Sequence, residues 1–145
     1  MKNMLFLLPL FFLFVACEDD DNAITPDGVS YACTGCDTSM IAGTWRLAEF
    51  YSDPGDGSGA YAPYESNKEV TFAADGTFAA TGDLCSPRPD GGEATNGTYD
   101  LPAGELRAEG CAVANPVRMI LGNGRLTISY FCIEGCGERY RKISD

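Results

Sequence analysis

Seven cysteines carry the most chemistry in this chain, and there is no histidine beside them. Cys33 and Cys36 stand in a C-x-x-C pair, Cys132 and Cys136 in a C-x-x-x-C pair, and Cys85 and Cys111 are isolated in loop-rich surroundings. Cys17 follows an apolar segment. Setting Cys17 aside leaves six, an even number, which in an exported chain predicts disulfides with fifteen possible connectivities. The rival use is zinc, because four thiolates from Cys33, Cys36, Cys132 and Cys136 make a tetrahedral donor set. A redox role for Cys33-x-x-Cys36 lacks the strand-then-helix setting that lowers a thiol pKa. The second candidate is Asp53-Pro54-Gly55-Asp56-Gly57-Ser58-Gly59. Asp53, Asp56 and Ser58 offer oxygens at short spacing for Ca2+. The spacing is not that of an EF-hand, and the alternative is a tight turn whose aspartates bond to their own backbone. With no histidine to serve as general base, and no serine or lysine with an evident partner, no enzyme is expected.

The elements that hold these residues read as an all-β domain. The chain has 145 residues, 21 acidic against 10 basic, and a formal charge of −11. Such acidity disfavours nucleic acid, since nothing would replace the phosphate counterions. Strand candidates are 44–52, 68–74, 77–84, 97–101, 105–109, 117–121, 125–131 and 138–143. Their residues alternate with period two between Gly, Pro, Asn and Asp turns. Trp45, Leu47 and Tyr51 are placed on one face of the first, with Arg46, Ala48 and Phe50 opposite. Val70 and Phe72 share a face, as do Phe78 and Ala80, and Leu126, Ile128 and Tyr130. Asp75-Gly76 is read as a type I′ hairpin turn. Short strands at regular spacing without a helical pattern mean a sandwich or a barrel.

The amino end carries export signals. Lys2 precedes an apolar run from Met4 to Ala16, too short to span a bilayer. Removing 1–16 takes away one lysine and leaves a charge of −12. Phe14-Val15-Ala16-Cys17 resembles the lipobox of bacterial lipoproteins, which implies acylation of Cys17 with palmitate-type chains and anchoring in the outer membrane, facing the periplasm or the cell surface. Glu18-Asp19-Asp20-Asp21 resembles the export signal of surface lipoproteins of the Bacteroidota; the plain alternative is a solvated spacer. Residues 17–39 are read as an acidic flexible tether, and 40–145 as the folded domain.

Gly43-Thr44-Trp45 at the head of eight sequential strands resembles the lipocalin signature. Together with Asp53–Gly59, Asp75-Gly76-Thr77, Leu84-Cys85 and Ser129-Tyr130-Phe131-Cys132-Ile133-Glu134-Gly135-Cys136, the domain is similar to the lipocalin-like domain of Bacteroidota lipoproteins. The second lipocalin motif, Thr-Asp-Tyr, is absent. The resemblance implies an eight-stranded up-and-down antiparallel barrel without enzymatic activity. It also implies an arginine of the last strand packed on the motif tryptophan. Arg141, on the odd-numbered face with Ile143, is preferred over Arg139 for Trp45. Leu47, Phe72, Phe78, Leu126, Ile128 and Tyr130 then either line a ligand pocket or are core. Placed on these strands, Cys85–Cys111 ties a hairpin loop to the strands that follow. Cys132–Cys136 closes the last turn, and Cys33–Cys36 remains. The expected function is a binding module for a small apolar or amphipathic ligand. The alternatives are an interaction or inhibitor module gripping a basic protein, and a structural accessory of a surface complex.

Overall fold

Alternating apolar residues over short segments require a partner on each edge and a core on one face, and nine strands supply both. The computed structural model describes residues 37–112, 116–133 and 135–145. The order is α1 (Thr38–Ile41), β1 (Gly43–Ser52), β2 (Ala60–Pro63), β3 (Glu69–Phe72), β4 (Thr77–Ala80), β5 (Thr95–Asp100), β6 (Glu105–Ala108), β7 (Val117–Gly122), β8 (Arg125–Ser129) and β9 (Cys136–Ser144). All pairings are antiparallel, each strand from β3 to β9 pairs with the next, and β9 returns to β1. The result is a closed eight-position barrel with one additional strand, and closure leaves its members no free edge. The expected eight-stranded barrel is thus observed.

The additional strand, β2, was not among the expected segments. β9 runs along one edge of β1 from Thr44↔Ser144 to Ser52↔Cys136. On the other edge β3 pairs with Gly43–Arg46 and β2 with Glu49–Ser52. β2 and β3 therefore act as one interrupted strand. Arg46 faces Glu69 and Glu49 faces Pro63, so two residues of β1 oppose five on the other side. The bonds Tyr64 N–H to Ala48 O (2.9 Å) and Leu47 N–H to Lys68 O (3.0 Å) carry the ladder up to the break from both sides. Residues 65–67 stand out of the ladder between them.

Two further irregularities reverse expected faces. The β1–β9 register shifts between Leu47 and Glu49, so Ala48 is an extra residue. A bulge inverts the alternation beyond it. Glu49 therefore turns outward to Arg125 and Arg139, and Tyr51 leaves the face of Trp45 and Leu47 to stack on Tyr61 at 5.2 Å. The second shift, between Thr44 and Trp45, sets Trp45 opposite Lys142 and leaves Ile143 unpaired. The turns also sort themselves by backbone. Asn123 and Gly124 both have positive φ (51° and 69°), the type I′ pattern, between Gly122 and Arg125. At Asp75-Gly76 only the glycine has positive φ (87°), and Ala73 N–H bonds to Thr77 O. That is a three-residue loop ending in a left-handed glycine, not the expected type I′ turn.

The inward residues form one core. Trp45, Leu47, Val70, Phe72, Phe78, Leu84, Leu106, Met119, Leu126, Ile128 and Tyr140 are all at most 3% exposed. Fully burying a side chain of this size contributes about 1.5–3 kcal/mol. α1 plugs the end where β1 begins. Asp37 caps it by accepting from Ser39 N–H (3.1 Å), Ile41 is fully buried, and Trp45 Nε1–H donates to Ile41 O at 2.7 Å. Gly43 has φ 114°, and a Cβ there would run into the Ser144 carbonyl oxygen, so the strand must start on glycine.

Candidate functional site

The barrel interior holds a charged knot. Lys68 precedes β3, in phase with Val70 and Phe72, and Glu138 lies on β9 in phase with Tyr140. Both side chains are wholly buried. Lys68 Nζ donates to Glu138 Oε1 at 2.8 Å and Oε2 at 2.9 Å, and to Arg88 O at 3.2 Å. The hydroxyls of Tyr130 (2.8 Å) and Tyr140 donate to Glu138 Oε2. Burial pushes both tyrosine hydroxyls well above their ordinary pKa of 10.0, and the neighbouring carboxylate adds to the effect. Among the described residues every buried side-chain nitrogen or oxygen has a partner. The knot is a closed arrangement: each of its polar groups has a partner inside the protein.

Leu47, Phe72, Phe78, Leu126 and Ile128, the residues expected either to line a pocket or to fill the core, belong to the single packed core, with Tyr130 half-buried against it. The cation over Trp45 is Lys142, with Nζ 6.0 Å from the ring centre. Arg141 corrects the expected pairing: it is exposed on the outer face, opposite Arg46 on one side and Arg125 on the other. The physical reason is the phase of β9: Glu138 and Tyr140 are inward, so Arg141, like Ile143 at 41% exposure, falls on the outer face.

Two disulfides are formed as expected, Cys85–Cys111 and Cys132–Cys136. Cys33 and Cys36, like Cys17, lie outside the described residues. Cys132 and Cys136 are spent on each other, which removes them from the rival zinc set. In the 53–59 turn, Asp53 Oδ1 accepts from Gly55 N–H (2.8 Å) and Gly57 N–H (3.2 Å), and Asp56 Oδ1 from Ser58 N–H (2.9 Å). Hydrogen bonds hold both carboxyl groups below their usual range, from the Gly55 amide first for Asp53 and from the Ser58 hydroxyl for Asp56. Among the described residues no three His, Cys, Asp or Glu side chains are grouped to hold a metal ion.

This turn shares a rim with the disulfide-closed loop between β8 and β9. Ser52, just before Asp53, pairs with Cys136, and a Cβ on Gly135 would lie 3.3 Å from the Tyr51 ring. On that loop Phe131 and Ile133 are 79% and 102% exposed. The sequence places Phe131 at the end of strand 125–131 and both residues in the Ser129–Cys136 motif; β8 instead ends at Ser129, which leaves Phe131 on the loop. The available signal was their position on either side of Cys132, in a loop too short to bury them.

A cleft of about 920 Å³ opens on the barrel flank, where β2 gives way to β3. Its lining includes Arg141, Arg46, Tyr64, Glu65, Asn67 and Asp90. Arg46 Nε and Nη2 donate to Glu69 Oε1 (2.9 and 2.6 Å). The Tyr64 hydroxyl donates to Asp90 Oδ1, and that bond raises the tyrosine pKa. Neither the break nor the cleft was expected from the sequence. Compared with known proteins, the chain matches no family model, no curated protein and no solved structure.

Proposed function

We propose that the chain is an exported, lipid-anchored recognition module that grips a protein partner with its rim, the barrel serving as scaffold. The observation that carries this is the pair Phe131 and Ile133, held in solvent on a disulfide-closed loop beside the acidic 53–59 turn. Exposed apolar groups of this size cost solubility and contribute nothing to the core. A cross-link that restricts their loop lowers the entropy lost on binding. Aromatic and aliphatic anchors entering a partner's pocket are the usual centre of an interface. The carboxylates of Asp53 and Asp56, kept ionised by their backbone hydrogen bonds, favour a basic margin around that pocket. The partner's surface is therefore an apolar recess rimmed by Lys or Arg. The mutual packing of Leu47, Phe72, Phe78, Leu126 and Ile128 turns the reading away from a small apolar ligand inside the barrel.

Anchoring rests on Phe14-Val15-Ala16-Cys17, with the acidic stretch from Glu18 serving as spacer. Acyl chains on Cys17 hold the protein at a membrane, since each buried CH₂ contributes about 0.8 kcal/mol. Photo-crosslinking from position 131 in the native host tests the partner, followed by affinity measurement with the purified cross-linked protein. We expect Phe131→Ser to weaken binding at least tenfold, and Asp53→Asn with Asp56→Asn to remove most of its salt dependence. Affinity unchanged in both variants, or cross-links to lipid alone, overturns the reading. So does a small molecule co-purifying inside the barrel.

A further inference from the structure

The flank cleft is charged in opposite senses at its two ends. Strand order places β9 beside β1, β1 beside the β2–β3 break, and β3 beside β4. Across that order the lining runs from Arg141 on β9 and Arg46 on β1 to Glu65 at the break, then to Asp90 in the loop after β4. Arg141 and Arg46 are direct cross-strand partners, and Arg125 is Arg141's partner on the other edge. Like charges set directly opposite are destabilising, and here they persist in a chain with twice as many acids as bases. Arg46 has Glu69, and Arg125 has Glu49 at 3.3 Å. Arg141, between them, has no ion-pair or hydrogen-bond partner among the described residues. At the other end Glu65 is exposed and likewise unpartnered.

We propose that this cleft binds a short peptide with free ends, its carboxylate on Arg141 and Arg46 and its ammonium on Glu65 and Asp90. Geometry sets the length. Two strand spacings of about 4.8 Å take β9 to the break that carries Glu65, roughly 10 Å, and Asp90 lies beyond it in the loop after β4, so about three to four extended residues fit. The volume of about 920 Å³ is that of a small-ligand site. The Tyr64 ring, bonded through its hydroxyl to Asp90, and Asn67 complete the lining at the acidic end. An incoming carboxylate also gives Arg141 the counter-ion that Arg46 already has in Glu69, which gives the arginine end its preference for an anion. This site lies on the flank and is independent of the rim contact proposed above.

The test uses the full-length protein labelled with ¹⁵N, and tetra-alanine in three forms: free, N-acetylated and C-amidated. We expect free tetra-alanine to shift the amide signals of Asn67, Thr81 and Gly91 saturably, and either blocked form to bind at least fivefold more weakly. In Arg141→Gln the penalty for amidation shrinks at least twofold, since only Arg46 remains; in Glu65→Gln the penalty for acetylation shrinks likewise, since only Asp90 remains. Both side chains are exposed, so neither substitution threatens the fold. No saturable shift up to about 10 mM peptide overturns the proposal. Equal binding of all three forms, or end-group effects undiminished in the two variants, overturns it too.

Discussion

The protein handles charge in two opposite ways, inside the barrel and on its wall. Inside, one carboxylate is held by one ammonium and two phenols, all withdrawn from water. Outside, arginines of β1, β8 and β9 stand in a row with too few partners, half open to solvent. An interior pair is costly to desolvate, and once formed it is costly to break, because removing one partner leaves the other charged and stranded. Wall pairs are screened and replaceable. The interior group is therefore the costlier of the two to break, while the wall keeps charge available for something else.

The largest expected effect comes from breaking the inner group. Glu138→Ala should lower unfolding free energy by about 3–5 kcal/mol, measured by urea titration, because Lys68 is then buried without its counter-ion. A loss below about 1 kcal/mol would mean that water reaches the knot, and the contrast with the wall would fail.

Alkaline pH gives the next effect. Tyr130 and Tyr140 have folded pKa values raised above the ordinary 10.0. Below pH 10 both states are protonated and the contribution of these groups is complete. As pH rises past 10 the unfolded chain releases protons that the folded chain retains, so stability falls. The urea midpoint should drop steeply above about pH 10, and Tyr140→Phe should make the drop shallower. A flat profile would place these hydroxyls in solvent.

The smallest effect belongs to the wall. Glu49 bridges Arg125 (3.3 Å) and Arg139 (3.2 Å). Glu49→Gln should cost less than about 1 kcal/mol, and the difference should vanish at high salt. A cost comparable with that of Glu138→Ala would erase the distinction between the two regions.

Strand identity was legible wherever apolar residues alternate over five or more positions, as in Arg125 to Ser129. β2 was not legible, because Ala60-Tyr61-Ala62-Pro63 is short, weakly apolar and ends in proline. The face of Tyr51 was not legible because a bulge at Ala48 inserts one residue, and nothing in that side chain marks a bulge. Arg141 follows the outward phase set by inward Glu138 and Tyr140, which the apolar Ile143, exposed in the fold, disguises. The inner knot was half legible. Lys68 continues the phase of Val70 and Phe72, and Glu138 that of Tyr140, so a charged residue in an inward phase was visible on two strands. Which strand would bring the opposite charge depends on closure, a property of the whole barrel. The cleft depends on three surplus residues between two strand segments, and sequence periodicity is silent about a gap.

The joining of β1 to β9 also fixes when the molecule can be finished. Every other pairing links neighbouring strands, or β1 with β3 across the short β2, so hairpins can zip in succession as the polypeptide grows. The seam pairs Thr44 with Ser144, 100 positions apart. Closing so long a loop costs entropy before any contact repays it. Until the last residues are present, β1 and β8 each present an open edge on which another chain can pair. A chain halted before Cys136 would be a nearly complete sheet with two adhesive margins, and the final strand is what joins them to each other.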